Sequence, residues 1–181
     1  MALKATIFKA ALSIADMDRH YYAEHNLTVA RHPSETDERM MVRVLAFALN
    51  ASESLEFGRG LSAEDEPALW EKDLTGAVSH WIEVGLPDER VLRKAAGRSA
   101  KVSVYAYGGN AADIWWETNR KALERMDTLA VYRLAPEVSE ALAAMSERGM
   151  RLQASIEGGE LWLNDGEATL AITLETLKAA R

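Results

Sequence analysis

The chain has 181 residues, 48% of them hydrophobic, and a formal net charge of −7, the dimensions of one domain around a continuous core. It contains no cysteine, so disulfides, thiolate catalysis and Cys-ligated zinc or iron–sulfur sites are excluded, and the composition fits a reducing compartment, the cytoplasm. The acidic balance opposes broad, sequence-independent binding of nucleic acid, which draws on Lys and Arg to displace counterions from phosphates.

Lys4 and Lys9 interrupt the first apolar run before the h-region of a signal peptide can form. No window approaches the roughly 18 apolar residues of a membrane helix, so no membrane partner is expected. Over residues 4–14, Thr6, Phe8, Ala10, Leu12 and Ile14 alternate with Ile7, Lys9, Ala11 and Ser13, the period of a strand covered on one side. Residues 15–19 supply a turn, and the alternation returns over 21–31, which predicts a hairpin. Ser34 with Asp37, and Glu35 and Glu38 nearby, marks the N-terminus of a helix reaching about residue 51, with Met41, Leu45, Ala48 and Leu49 on its buried side.

The glycine-rich, charged stretch 52–66 reads as a loop. Residues 69–75 and 81–86 read as short strands joined around Gly76. Pro87-Asp88-Glu89 opens a helix that weakens at Gly97, and residues 102–107 form the next strand. Strand, helix and strand over 81–107 fit a parallel crossover, so the sheet is mixed. A helix after Gly108-Gly109-Asn110, a strand over 129–134, a helix from Pro136 to Gly149 and a terminal meander over 150–173 complete the chain.

Residues with chemical potential concentrate between 69 and 101. If a loop with an odd number of residues spans residues 77–79, Asp73 falls opposite Glu83 on paired strands, with Cβ atoms about 5 Å apart. A two-residue loop puts them on opposite faces. Carboxylates that close repel one another unless a cation lies between them, and magnesium, with its preference for oxygen ligands, suits such a pair. Gly85, two residues past Glu83, leaves space on the same face. Arg90, Lys94 and Arg98 recur at four-residue spacing, with Lys101 a turn further on. Lys94 is the cation expected over Gly85, where it could orient an attacking water or stabilise a phosphoryl oxygen.

Bland readings compete for several features. Trp115-Trp116 and Met40-Met41 read as core. His20, His25 and His32 lack zinc-motif spacing. Gly58-Arg59-Gly60 has nothing further of a phosphate loop, and Tyr105 and Tyr107 either border a cleft or cap a sheet edge.

Residues 2–19 (ALKATIFKAALSIADMDR), 32–48 (HPSETDERMMVRVLAFA), 69–76 (LWEKDLTG), 81–85 (WIEVG) and 93–98 (RKAAGR) resemble the YaeQ family of bacterial proteins along nearly the whole chain. That resemblance implies a restriction-endonuclease-like PD-(D/E)XK core, a mixed β-sheet flanked by helices, forming a single domain over 1–181. The parent motif sets an acid on one strand and an acid-x-lysine on the next. It implies Asp73 as the first acid and Glu83 as the second, Glu38 as a further metal ligand, and magnesium or manganese as cofactor. The lysine position holds Gly85, a departure that Lys94 would have to make good from the helix.

Two functions follow. One is a magnesium-dependent phosphodiesterase acting on nucleic acid through Asp73, Glu83 and Lys94, with Arg90, Arg98 and Lys101 on the phosphates. The other is a non-catalytic protein of the same fold that binds nucleic acid or a protein partner.

Overall fold

The computed structural model describes residues 4–62 and 65–181. Residues 1–3, and Ala63 and Glu64 of the charged loop, lie outside the described residues. In chain order the elements are β1 (Thr6–Asp16), β2 (Tyr21–Arg31), α1 (Asp37–Asn50), β3 (Leu55–Phe57), β4 (Leu69–Lys72), β5 (Val78–Val84), α2 (Glu89–Arg98), β6 (Val102–Ala106), α3 (Asn110–Glu124), β7 (Leu129–Arg133), α4 (Pro136–Ala144), β8 (Gly149–Glu157), β9 (Glu160–Asn164), β10 (Thr169–Thr173) and β11 (Glu175–Lys178). The fold is mixed α/β. Two mixed sheets replace the one sheet expected, and the chain divides into two compact units, each built from separate segments.

The first unit holds residues 1–49 and 137–173. Its sheet runs β10-β9-β8-β1-β2, with β1 parallel to β8 and the other neighbours antiparallel. The alternation read from the sequence is the alternation observed: Phe8, Ala10, Leu12 and Ile14 are buried, while Lys9 and Ala11 face solvent. Asp16 closes the first hairpin by accepting from the Arg19 backbone at 3.0 Å and from Arg19 Nε at 2.7 Å.

Helix α1 starts later than Ser34 suggests. Thr36 is the cap, its Oγ1 accepting from Arg39 N at 3.1 Å, whereas Ser34 bonds His32. Glu35, freed from the helix, is buried against Arg43, whose guanidinium donates to it at 2.5 and 2.9 Å and to the Ala30 carbonyl at 3.0 Å. Removing one partner of such a pair costs far more than the pair contributes.

The second unit holds residues 50–136 and 174–181, with strand order β11-β7-β6-β5-β4-β3. Strands β5, β6 and β7 are parallel, which bears out the crossover through α2. The terminal β11, absent from the expected meander, pairs with β7, and Lys178 Nζ donates to the Leu129 carbonyl at 2.7 Å. On one face Trp70, Trp81, Val102 and Val104 pack with Leu92 and Ala95 of α2 and with Trp116 and Leu123 of α3. Trp70 and Trp81 meet edge to face at 5.8 Å. Leu92 and Ala95, three residues apart, are the buried side of α2 and so fix which of its residues face outward.

Candidate functional site

Helix α2 is capped by Asp88, whose carboxylate accepts from Arg90 N at 2.8 Å. With Leu92 and Ala95 turned inward, Arg90, Lys94 and Arg98 line one groove of about 940 Å³ over Trp81, with Asp65 and Asp88 also on its wall. The guanidinium of Arg98 lies 5.8 Å from the Trp81 ring centre. Arg90 Nε is 3.7 Å from Asp88, a highly exposed pair that holds its cation weakly. Among the described residues Lys94 is exposed and has no hydrogen-bond or ion-pair partner. By contrast Arg93, on another side, is tied to Glu89. Lys101 precedes β6 and is not on the groove wall; its charge reaches His80 instead.

The acidic pair is not assembled as expected. Asp73 sits in an exposed turn, where its Oδ1 accepts from Thr75 N at 2.8 Å, Thr75 Oγ1 at 2.6 Å and Ala77 N at 3.1 Å. These bonds, that from the Thr75 hydroxyl foremost, hold its carboxyl below the ordinary range. The turn closes with Asp73 N to the Ala77 carbonyl at 2.9 Å, and Gly76 adopts φ +86°. The register then slips: Glu71 faces His80, but Lys72 faces Val78. Glu83 lies five residues beyond Val78, about 16 Å at roughly 3.3 Å per residue. The turn is centred on Thr75 rather than on residues 77–79, so Asp73 closes the turn against Ala77, and Leu69, paired with Ile82, is the β4 residue nearest Glu83 in register.

Glu83 shares the α2-side face of β5 with Trp81, is half-buried, and accepts from Trp81 Nε1 at 2.9 Å. Its lateral neighbour on β6 is Val104. Gly85 adopts φ +92°, and its N–H donates to the Tyr105 carbonyl at 2.9 Å. A Cβ there would meet Tyr107 only at 4.0 Å. Backbone conformation, rather than lack of space, therefore bars a lysine. Glu38 lies half-buried in the first turn of α1, in the first unit. Among the described residues no group of three or more His, Asp or Glu comes together to hold a metal ion. A divalent ion shared by Asp73 and Glu83 does not fit this geometry.

The opposite face of the second sheet carries a cluster that the sequence did not announce. His80 Nε2 and Ser103 Oγ are 2.8 Å apart, both groups are buried, and Glu71 lies beside His80 on β4. Burial, with repulsion from Lys101, pushes the imidazole down to about 4. Next to it Tyr105 stacks on Tyr132 at 5.3 Å and accepts from Asn50 Nδ2 at 2.8 Å. Tyr105 thus lines neither the α2 groove nor an exposed edge. Period-2 alternation signals which residues share a face, but not that a serine and a histidine on neighbouring strands will pair.

Fold and groove together define a mixed α/β protein with, among the described residues, two mixed sheets, four α-helices and a cationic helix face. The YaeQ protein family model matches residues 1–174, and the chain belongs to that family. It is 45% identical over 174 residues to YaeQ of Escherichia coli (strain K12), covering 96% of each chain, and equally to YaeQ of Salmonella typhi. Among solved structures it resembles YaeQ from Xanthomonas axonopodis pv. citri, with 48% identity and a TM-score of 0.93 over 97% of this chain and 99% of that one. It likewise resembles YaeQ from Pseudomonas syringae, with 38% identity and a TM-score of 0.93 over 97% of each. No helix among the described residues is long and apolar enough to cross a membrane.

Proposed function

We propose that this chain is a cytoplasmic, single-domain member of the PD-(D/E)XK nuclease-like fold that binds the phosphate backbone of nucleic acid without cleaving it. One observation carries the reading: Arg90, Lys94 and Arg98 line a single groove, with Lys94 unengaged, while the carboxylate of Asp73 is committed to its turn far along the ribbon from Glu83. Cations on a rigid helix can meet phosphates with little reorganisation, whereas metal-dependent hydrolysis needs ligands converging on one ion. That separation favours binding over a magnesium- or manganese-dependent phosphodiesterase built on Asp73, Glu83 and Lys94. The two acids on the groove wall and the overall charge of −7 keep the affinity modest, about 10–100 μM at physiological salt.

The test is fluorescence anisotropy with labelled duplex and single-stranded oligonucleotides at several salt concentrations. Affinity should fall with salt, and replacing Arg90, Lys94 or Arg98 by Ala should each reduce the logarithmic slope by about one. Affinity untouched by all three substitutions would overturn the reading. Divalent-dependent cleavage lost in Asp73→Ala would restore the phosphodiesterase, and no affinity for either oligonucleotide would leave a protein partner as the occupant of the groove.

A further inference from the structure

The solvent face of the first sheet has no part in that reading. Its registers align the side chains in rows across the strands. Thr28, Lys9 and Gly149 form one row, and Asn26, Ala11 and Arg151 the next. Glu24, Ser13, Gln153, Asn164 and Thr169 follow, and then Tyr22, Ala15, Ser155, Trp162 and Ala171. A solvated sheet face ordinarily carries β-branched and long polar side chains. Here the small Ala11 and Ser13 of β1 lie between Asn26 and Glu24 of β2 on one side and Arg151 and Gln153 of β8 on the other, and the result is a depression of about 450 Å³.

Five groups converge on that depression: the Ser13 hydroxyl, the Glu24 carboxylate, the amides of Asn26 and Gln153, and the Arg151 guanidinium. Among the described residues none of these side chains has a hydrogen-bond or ion-pair partner in the protein, whereas Asn164 at one end is held by Thr169 and Gly166. The unspent inventory is therefore one acid, one cation, two amides and a hydroxyl, with donors and acceptors interspersed. In the adjoining row Tyr22, 61% exposed, and the half-buried Trp162 stand on the same face. Three strand spacings separate them, roughly 14 Å.

The charges select the ligand. The depression itself is lined by one acid, Glu24, and one cation, Arg151, so it offers a polyanion no excess of positive charge. A neutral molecule with many hydroxyls meets what the face offers, because each hydroxyl both donates and accepts, and the apolar faces of its rings can lie against aromatic side chains. We infer that the solvent face of the first sheet is a binding site for a neutral oligosaccharide, held by Glu24, Asn26, Arg151 and Gln153 and flanked by Tyr22 and Trp162.

The test is titration of the full-length, nitrogen-15-labelled protein with three neutral trisaccharides, built on glucose, on galactose and on N-acetylglucosamine, followed by amide chemical shifts. At least one should give saturable shifts centred on β1, β2 and β8, at millimolar concentration or below. Glu24→Gln and Gln153→Ala should each weaken binding about tenfold, and Ser13→Arg, which fills the depression, should abolish it. These positions lie on the solvent side of the sheet, and an otherwise unchanged amide spectrum shows that each variant is folded. If Ser13→Arg fails to fold, the other two decide the matter. No saturable shift with any of the three sugars, shifts elsewhere on the protein, or wild-type binding by the variants overturns the assignment. So does a single-stranded oligonucleotide that shifts the β1 and β8 amides when the sugars do not.

Discussion

Trp81 donates its indole N–H to Glu83 at 2.9 Å, two positions along one strand, and the ring that makes this bond is also the floor beneath Arg98. The carboxylate thus supports the groove from below.

Replacing Glu83 by Ala leaves a buried indole N–H without this acceptor, at a cost of about 1–3 kcal/mol. Glu83→Gln retains an acceptor and should lose less than half as much. Urea unfolding followed by tryptophan fluorescence measures both, and equal losses in the two variants would make charge, rather than the hydrogen bond, the contribution of Glu83.

Placing a lysine at Gly85 should not create a nuclease. Gly85 sits at φ +92°, so Gly85→Lys should destabilise the protein by about 1 kcal/mol or more through backbone strain. It should produce no magnesium-dependent cleavage of plasmid or RNA. Cleavage by this variant, abolished again by Glu83→Ala, would refute the binding reading.

Asp73→Ala removes the acceptor of three hydrogen bonds and should lower the urea midpoint, while Asp73→Asn, whose amide oxygen can still accept, should lower it less. The folded-state pKa of Asp73 is depressed, so its contribution is complete above the ordinary aspartate value and disappears as pH falls through the folded one. A difference between wild type and Asp73→Asn that shrinks toward pH 3 is the expected observation.

His80 acts in the same direction through the opposite charge. Its folded value of about 4 lies below the unfolded 6.5, so between the two the unfolded chain binds more protons and stability rises with pH. The contribution is intact above 6.5 and is lost progressively toward 4, on the order of 3 kcal/mol at most. His80→Asn should flatten this part of a stability–pH profile measured by denaturant unfolding.

Much of the architecture was legible. The alternation of Phe8, Ala10, Leu12 and Ile14 reports a one-sided strand because side-chain direction is a local property of the backbone. The four-residue spacing of Arg90, Lys94 and Arg98 reports a helix face for the same reason. What escaped depends on register and on distant partners. The register set from Leu69 opposite Ile82 onward places the turn at residues 73–77, so Asp73 lies in the turn and not beside Glu83. The signal for it stood in Asp73-Leu74-Thr75-Gly76, an aspartate able to bond backbone two and four residues on, and a glycine free to take positive φ. Nothing in Glu175–Lys178 marks it as a neighbour of β7, because strand pairing across the chain leaves no local periodicity.

In the first sheet Lys9 of β1 lies beside Gly149 of β8. During synthesis the β1–β2 hairpin therefore keeps one backbone edge unpaired until β8, about 140 residues further along, has left the ribosome. The nascent chain is most open to sticking to its neighbours during that interval, and most in need of a chaperone.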